Sequence, residues 1–260
     1  MFNIIIILLG TLNDEPLGST DYRIARYLLS HLNNLSSLNI SKVASECYVS
    51  ASSVSRFCKK VGFQDFNNLN AQFIQYPFRL FDKFNYNKFS PTNIQNSYLD
   101  AAIENLQLLK SSLNRLEVEE LVEDICSYDY VAAFGTLHSQ SVVLNLQTDL
   151  LSSGIVMDTR TQFIQQQEYL ENACQKTLVI LFSREGAFLQ RFLQNLLELK
   201  RANKPKIVMI TTNEHKKKDK YIDKVICYKE NGGFSAYPFA FEAIGNVLSL
   251  EVAKKKGVLN

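Results

Sequence analysis

The segment Val49-Ser50-Ala51-Ser52-Ser53-Val54-Ser55-Arg56-Phe57-Cys58-Lys59-Lys60-Val61-Gly62-Phe63 decides how the first part of the chain folds. Ser50 is a helix-capping residue type placed ahead of Val54, Phe57, Cys58 and Val61, which recur at the spacing of one helical face. Gly62 stands just past the last of them, where a left-handed helix stop is expected. Upstream, Ser41 can cap a short helix whose inner face is Val43, Ala44 and Cys47, and only Tyr48-Val49 separates that helix from Ser50. Two short helices joined by so brief a turn cross steeply and share a small core, with Ala44 where they approach most closely. Tyr48 occupies the turn position where glycine is favoured for a positive φ. The spacing therefore predicts a left-handed tyrosine at a cost of about 1 kcal/mol, or a turn with altered dihedrals. The pattern is that of a helix-turn-helix.

Working outward, Ser19-Thr20 can cap an earlier helix whose inward positions are Ile24, Tyr27, Leu28 and Leu32. Phe66, Leu69 and Phe73 continue into a later helix that Pro77 closes. Residues 78–98, rich in Asn, Phe and Tyr and containing Pro91, have no clear periodicity and read as a linker. Beyond them the pattern changes. Leu99 to Cys126 reads as a helical pair. Tyr130–Phe134, Ile155–Asp158, Thr177–Phe182, Lys206–Thr211 and Lys224–Tyr228 are short β-branched or aromatic runs, alternating with helical patterns at Ser139–Ser152, Phe163–Asn172, Phe188–Ala202 and Pro238–Lys255. Such alternation implies parallel strands with helices on both faces. The expected architecture is an all-α helix-turn-helix domain over residues 1–77, a linker over 78–98, and a doubly wound α/β domain with a five-stranded parallel sheet over 99–260.

The 260 residues are 46% hydrophobic and 21% charged, with 28 Lys+Arg against 26 Asp+Glu. The longest apolar run, Ile4 to Leu9, is too short to span a membrane or to serve as a secretory core, and the chain is expected to be cytoplasmic. Cys47, Cys58, Cys126, Cys174 and Cys227 are widely scattered and are expected to be reduced core residues, giving neither a disulfide framework nor a metal site. His31 and His215 are isolated, and no cofactor is expected. A net charge of +2 hides a local excess: Lys42 to Lys60 holds four basic residues and one acid, Glu46. If the leading end of the second helix enters a major groove, Ser50, Ser52, Ser53 and Ser55 can meet base edges or phosphates, and Arg56 can reach either. Lys59, Lys60 and Lys42 suit backbone phosphates. The plain alternative is a capped surface helix with a solvated basic face.

These residues carry a resemblance. Asn39-Ile40-Ser41-Lys42-Val43-Ala44, the segment Val49 to Phe63, and then Phe66 and Leu69 resemble the helix-turn-helix of RpiR/MurR-type bacterial transcriptional regulators. In that family a SIS (sugar isomerase) domain follows, a five-stranded parallel α/β fold of flavodoxin-like topology that binds phosphosugars. The resemblance implies a regulator of carbohydrate or amino-sugar metabolism that binds a two-fold symmetric DNA operator as a homodimer or homotetramer, without a membrane partner.

Ligands of such sheets bind beyond the carboxyl ends of the strands. SIS domains resemble G-x-G-x-S after the first strand and S-x-S-G-x-T after the third. Here Gly135, Ser139, Ser183 and Gly186 match, whereas Leu137, Glu185 and Phe188 depart. Leu137 is expected to deny the close backbone approach that glycine permits. Glu185 is expected to place a carboxylate beside the phosphate position, with Arg184 as the cation able to offset it. His138 is the one acid/base candidate in these loops, and nothing in the sequence supplies its partner. The chain is therefore expected not to be an enzyme. The rival reading is a phosphosugar isomerase with an accessory helical module.

Overall fold

The structure is a computed structural model and describes residues 4–32, 38–75, 93–189, 203–231 and 237–259. It divides into two compact units. The first contains helices α1 (Ile4–Asp14), α2 (Thr20–Ser30), α3 (Ile40–Glu46), α4 (Ala51–Lys60) and α5 (Phe66–Gln75). Ile24, Leu28, Val43, Ala44, Cys47, Val54, Phe57, Cys58, Val61, Phe66 and Leu69 form its buried core, as the periodicity anticipates, and Tyr27 and Leu32 pack at its margin.

Helix α1 takes in the apolar run Ile4 to Leu9. Ile4, Ile5, Ile7 and Leu8 are buried in the same core. Their β-branched run carries no helical periodicity, and it is tertiary packing that makes it a helix. The cap of α3 is a correction: Asn39 caps it by accepting the Lys42 backbone N–H at 2.8 Å, whereas Ser41 lies inside the helix and is exposed. Ser19 caps α2 as expected, accepting the Tyr22 N–H.

The second unit contains the sheet: β1 (Tyr130–Gly135), β2 (Met157–Asp158), β3 (Thr177–Phe182), β4 (Lys206–Thr211) and β5 (Lys224–Cys227). All pairings are parallel in the order β2-β1-β3-β4-β5. The five strands fall where the sequence places them, although the second is shorter. The order reverses between β1 and β3, so the loops after those two strands flank the topological switch point.

Helices α6 (Ile94–Ser112), α7 (Arg115–Ser127), α8 (His138–Ser152), α9 (Phe163–Asn172) and α10 (Tyr237–Lys255) accompany the sheet. Val131, Ala133, Leu178, Ile180, Phe182, Val208, Ile210 and Ile226 share one core with Leu121, Ile125, Val142, Leu146, Ile244 and Leu248 of α7, α8 and α10. The alternate residue Phe134 meets Tyr169 of α9 edge to face at 5.3 Å, so α9 lies on the other face. The helix expected over Phe188–Ala202 opens in a turn at Phe188-Leu189, and its remainder lies outside the described residues, as do Pro77 and most of the expected linker. Between β4 and β5 the chain makes only a 3₁₀ helix, Glu214–Lys218.

Lys216 is buried, with its ammonium on Asp219 at 3.0 Å, whereas Lys217 and Lys218 are exposed. One expectation about a single residue is overturned. Cys174 is exposed, so of the five cysteines only Cys47 and Cys58 are fully in a core. Burial pushes the Cys58 thiol up to about 11 and keeps it protonated.

Candidate nucleic-acid interface and ligand loops

The turn between α3 and α4 is closed by two hydrogen bonds. Tyr48 N–H donates to the Ser45 carbonyl at 3.1 Å, and Val49 N–H donates to the Ala44 carbonyl at 2.9 Å. Tyr48 itself is left-handed, with φ 54°, so the turn keeps the shape that glycine favours. Gly62, at φ 92°, ends α4 in the same manner, with Phe63 N–H on the Cys58 carbonyl at 2.8 Å.

The leading end of α4 is tied together by its own serines. Ser50 Oγ accepts the Ser53 N–H at 3.1 Å and lies 3.0 Å from Ser52 Oγ and 2.9 Å from Ser53 Oγ. Arg56 Nη2 donates to Ser53 Oγ at 3.0 Å, which lays the guanidinium back toward that end of the helix. Ser50, Ser52, Arg56 and Lys59 are exposed, and Ser53 and Ser55 are half-buried. Ser52, Arg56 and Lys59 recur at helical spacing on one face. Lys42 is exposed near the start of α3. Among the described residues Lys42, Arg56 and Lys59 have no ion-pair partner, which leaves three cations available to an anion.

Lys60 is different. Its ammonium lies 2.6 Å from Glu15 and 2.7 Å from Asp21, and these hydrogen bonds raise its pKa. It is committed to joining α4 to the start of α2 and the residue after α1. Sequence alone cannot separate Lys59 from Lys60, because the two acids are distant in the chain.

In the second unit, Gly135 is required by packing: a Cβ there would stand 2.6 Å from Ser139 Cβ and 2.7 Å from its backbone. Ser139 is buried, and His138 begins α8 and is half-buried. Leu137 is exposed, with φ 55° and ψ −117°, a backbone conformation that favours glycine.

After β3, Ser183 Oγ accepts the Phe188 N–H at 3.2 Å, and Gly186 N–H donates to the Ser183 carbonyl at 2.9 Å. Gly186, at φ 70°, presses on the Lys216 stem, where a Cβ would come within 2.5 Å. The Arg184 carbonyl receives the hydroxyls of Thr211 and Thr212 at 2.7 and 2.8 Å. Its guanidinium forms an ion pair with the buried carboxylate of Glu230 and also lies 3.3 Å from Glu185. Burial pushes Glu230 above the usual carboxylate range despite that arginine. Glu185 itself points outward, its side chain 68% exposed. Arg184 is thus already neutralised, by a residue 46 positions away that sequence reading does not single out.

Beyond β3 and β4 lies an open cleft of about 610 Å³ lined by Glu185, Thr212, Asn213, Glu214, His215 and Lys218. Its two carboxylates against one lysine leave it without the positive excess that a phosphate dianion seeks. Glu242 of α10 accepts a hydrogen bond from Asn145 at 2.8 Å. Among the described residues no group of three or more His, Cys, Asp or Glu side chains is placed to hold a metal ion.

Comparison with known proteins agrees with this geometry. Residues 12–77 match the model of the helix-turn-helix domain of the rpiR family. The fold is similar to that of the Vibrio vulnificus NanR protein complexed with ManNAc-6P, with a TM-score of 0.54 and 15% identity over 97% of this chain and 92% of that one. It is also similar to the sugar isomerase domain of an RpiR transcription factor from Sphaerobacter thermophilus, with a TM-score of 0.53 and 23% identity over 64% of this chain and 92% of that one. A protein from E. coli CFT073 gives a TM-score of 0.54 and 14% identity over 66% and 96% of the two chains. No curated protein matches the sequence significantly. The chain therefore carries a helix-turn-helix domain of the rpiR family followed by an α/β domain of the sugar isomerase fold.

Proposed function

We propose that this protein is a DNA-binding transcriptional regulator of sugar metabolism, acting in the cytoplasm. Its helix-turn-helix unit binds a two-fold symmetric operator, and its sugar isomerase domain dimerises and carries the effector site. The observation that carries the reading is the leading end of α4, where exposed Ser52, Arg56 and Lys59 line up on one face of an rpiR-type helix-turn-helix with Lys42 available on α3. A dimer fits the exposed apolar residues Leu99, Ile103 and Leu106 on α6, and two-fold symmetry sets half-sites about one helical turn apart. No helix among the described residues is long and apolar enough to cross a membrane.

The effector is a phosphosugar or a related compound held by the loops after β1 and β3, with Gly135, His138, Ser139, Ser183 and Gly186 as the binding set. It acts by preferring one of two arrangements of the dimer. An isomerase activity draws support only from the shared fold. The test is selection of bound duplexes from a random-sequence library by the full chain. A palindrome bound with reduced affinity by Arg56→Ala supports the reading, and equal binding to every duplex contradicts it.

A further inference from the structure

Of the seven described residues with positive φ, five are glycine, and the exceptions are Tyr48 and Leu137. Tyr48 is the more exposed of the two, at 87%. Among the described residues its side chain makes no hydrogen bond or ring contact, so packing does not offset the left-handed backbone. Gly62 performs the same backbone task at the far end of α4 without a side chain. The turn uses the left-handed backbone but not the exposed ring, and a bulky side chain kept at a strained position that glycine would fill more easily points to a role outside the fold.

We infer that Tyr48 contacts the DNA backbone at the lip of the groove entered by α4. The inference rests on the DNA-binding reading of the helix-turn-helix. Tyr48 lies two residues before the capping Ser50, so its Cα is within about 7 Å of the end of α4 that carries Ser50 and Ser52. Phosphates border that lip. A phenol hydroxyl donates to a phosphate oxygen, and tyrosine is among the side chains that position proteins on duplex DNA without reading sequence. Because the group is neutral, it adds affinity without adding to the counterions released.

The experiment uses the full chain and two probes: the duplex it enriches from a random-sequence library and a scrambled duplex of equal length. Tyr48→Gly is expected to raise the thermal midpoint and to weaken binding to both duplexes by about tenfold for each protomer in contact, the scale of one hydrogen bond to a charged group. Tyr48→Phe is expected to leave the midpoint unchanged, to lose most of the same affinity, and to keep the wild-type salt slope. A loss confined to Tyr48→Gly still supports contact, through the ring and not the hydroxyl. Tight wild-type binding with both variants unaffected overturns the inference alone, and so does a lowered midpoint in Tyr48→Gly, which would give the ring a role in the fold. Failure of the wild-type chain to bind either duplex overturns both the inference and the DNA-binding reading beneath it.

Discussion

Arg56 donates to Ser53 Oγ at 3.0 Å, and Ser53 in turn gives its backbone N–H to the capping hydroxyl of Ser50 at 3.1 Å. The cap of α4 and the direction of its arginine are therefore one connected arrangement. Ser50→Ala removes a cap and is expected to cost about 1 kcal/mol of stability, measured by denaturant unfolding. It should also weaken DNA binding beyond what a structurally remote cap does, for instance Asn114→Ala at the start of α7.

Lys59 and Lys60 are adjacent and chemically identical, yet of the two only Lys60 has ion-pair partners among the described residues. Lys59→Ala should lower the slope of log K against log salt by nearly one unit for each protomer, because one phosphate contact is lost. Lys60→Ala should leave that slope unchanged. Its effect falls on folding, and it is small because the lysine is 55% exposed and solvent screens the pairs with Glu15 and Asp21. Filter binding at several salt concentrations distinguishes the two.

The loop after β1 offers a pair of opposite substitutions. Leu137→Gly relieves the positive φ and is expected to raise stability by about 0.5–1 kcal/mol, the gain being limited by glycine's larger unfolded-state entropy. Gly135→Ala drives a Cβ into the Ser139 backbone and should cost about 2 kcal/mol or more. Denaturation midpoints of the two variants should therefore move in opposite directions.

Glu230 holds its proton more tightly in the folded chain than in the unfolded one, because burial outweighs the attraction of Arg184. A folded state that binds more protons loses stability as pH rises from the ordinary carboxylate range through the raised one. Glu230→Gln removes that pH dependence. The variant should gain relative to wild type most at pH 7 and less at pH 5, as read from denaturant midpoints at both values. A difference that grows on acidification would contradict this assignment.

The sequence shows these features unevenly. The helix-turn-helix is legible down to its odd residue, because a cap, a 3.6-residue face and a left-handed stop are all local signals, and even the strained Tyr48 follows from position. The strands are legible because residues buried on both faces read as short apolar runs. Helix α1 is not, since its isoleucines carry no periodicity and are ordered by neighbours distant in the chain. The ligand loops lie between these cases. Gly135 and Gly186 are recognisable by spacing, but the Arg184–Glu230 pair and the burial of Lys216 are long-range outcomes that no local pattern encodes. The role of Lys60 escapes a sequence reading for the same reason.

The central claim is sequence-specific DNA binding through the exposed face of α4. It is tested most directly by measuring, at one fixed salt concentration, the affinity of the wild-type chain and of Arg56→Ala for the selected palindrome and for a scrambled duplex. The wild type is expected to prefer the palindrome by at least about 10³-fold, and Arg56→Ala to lose affinity for it. Equal affinity of the wild type for both duplexes, or an Arg56→Ala variant indistinguishable from it, would contradict the claim.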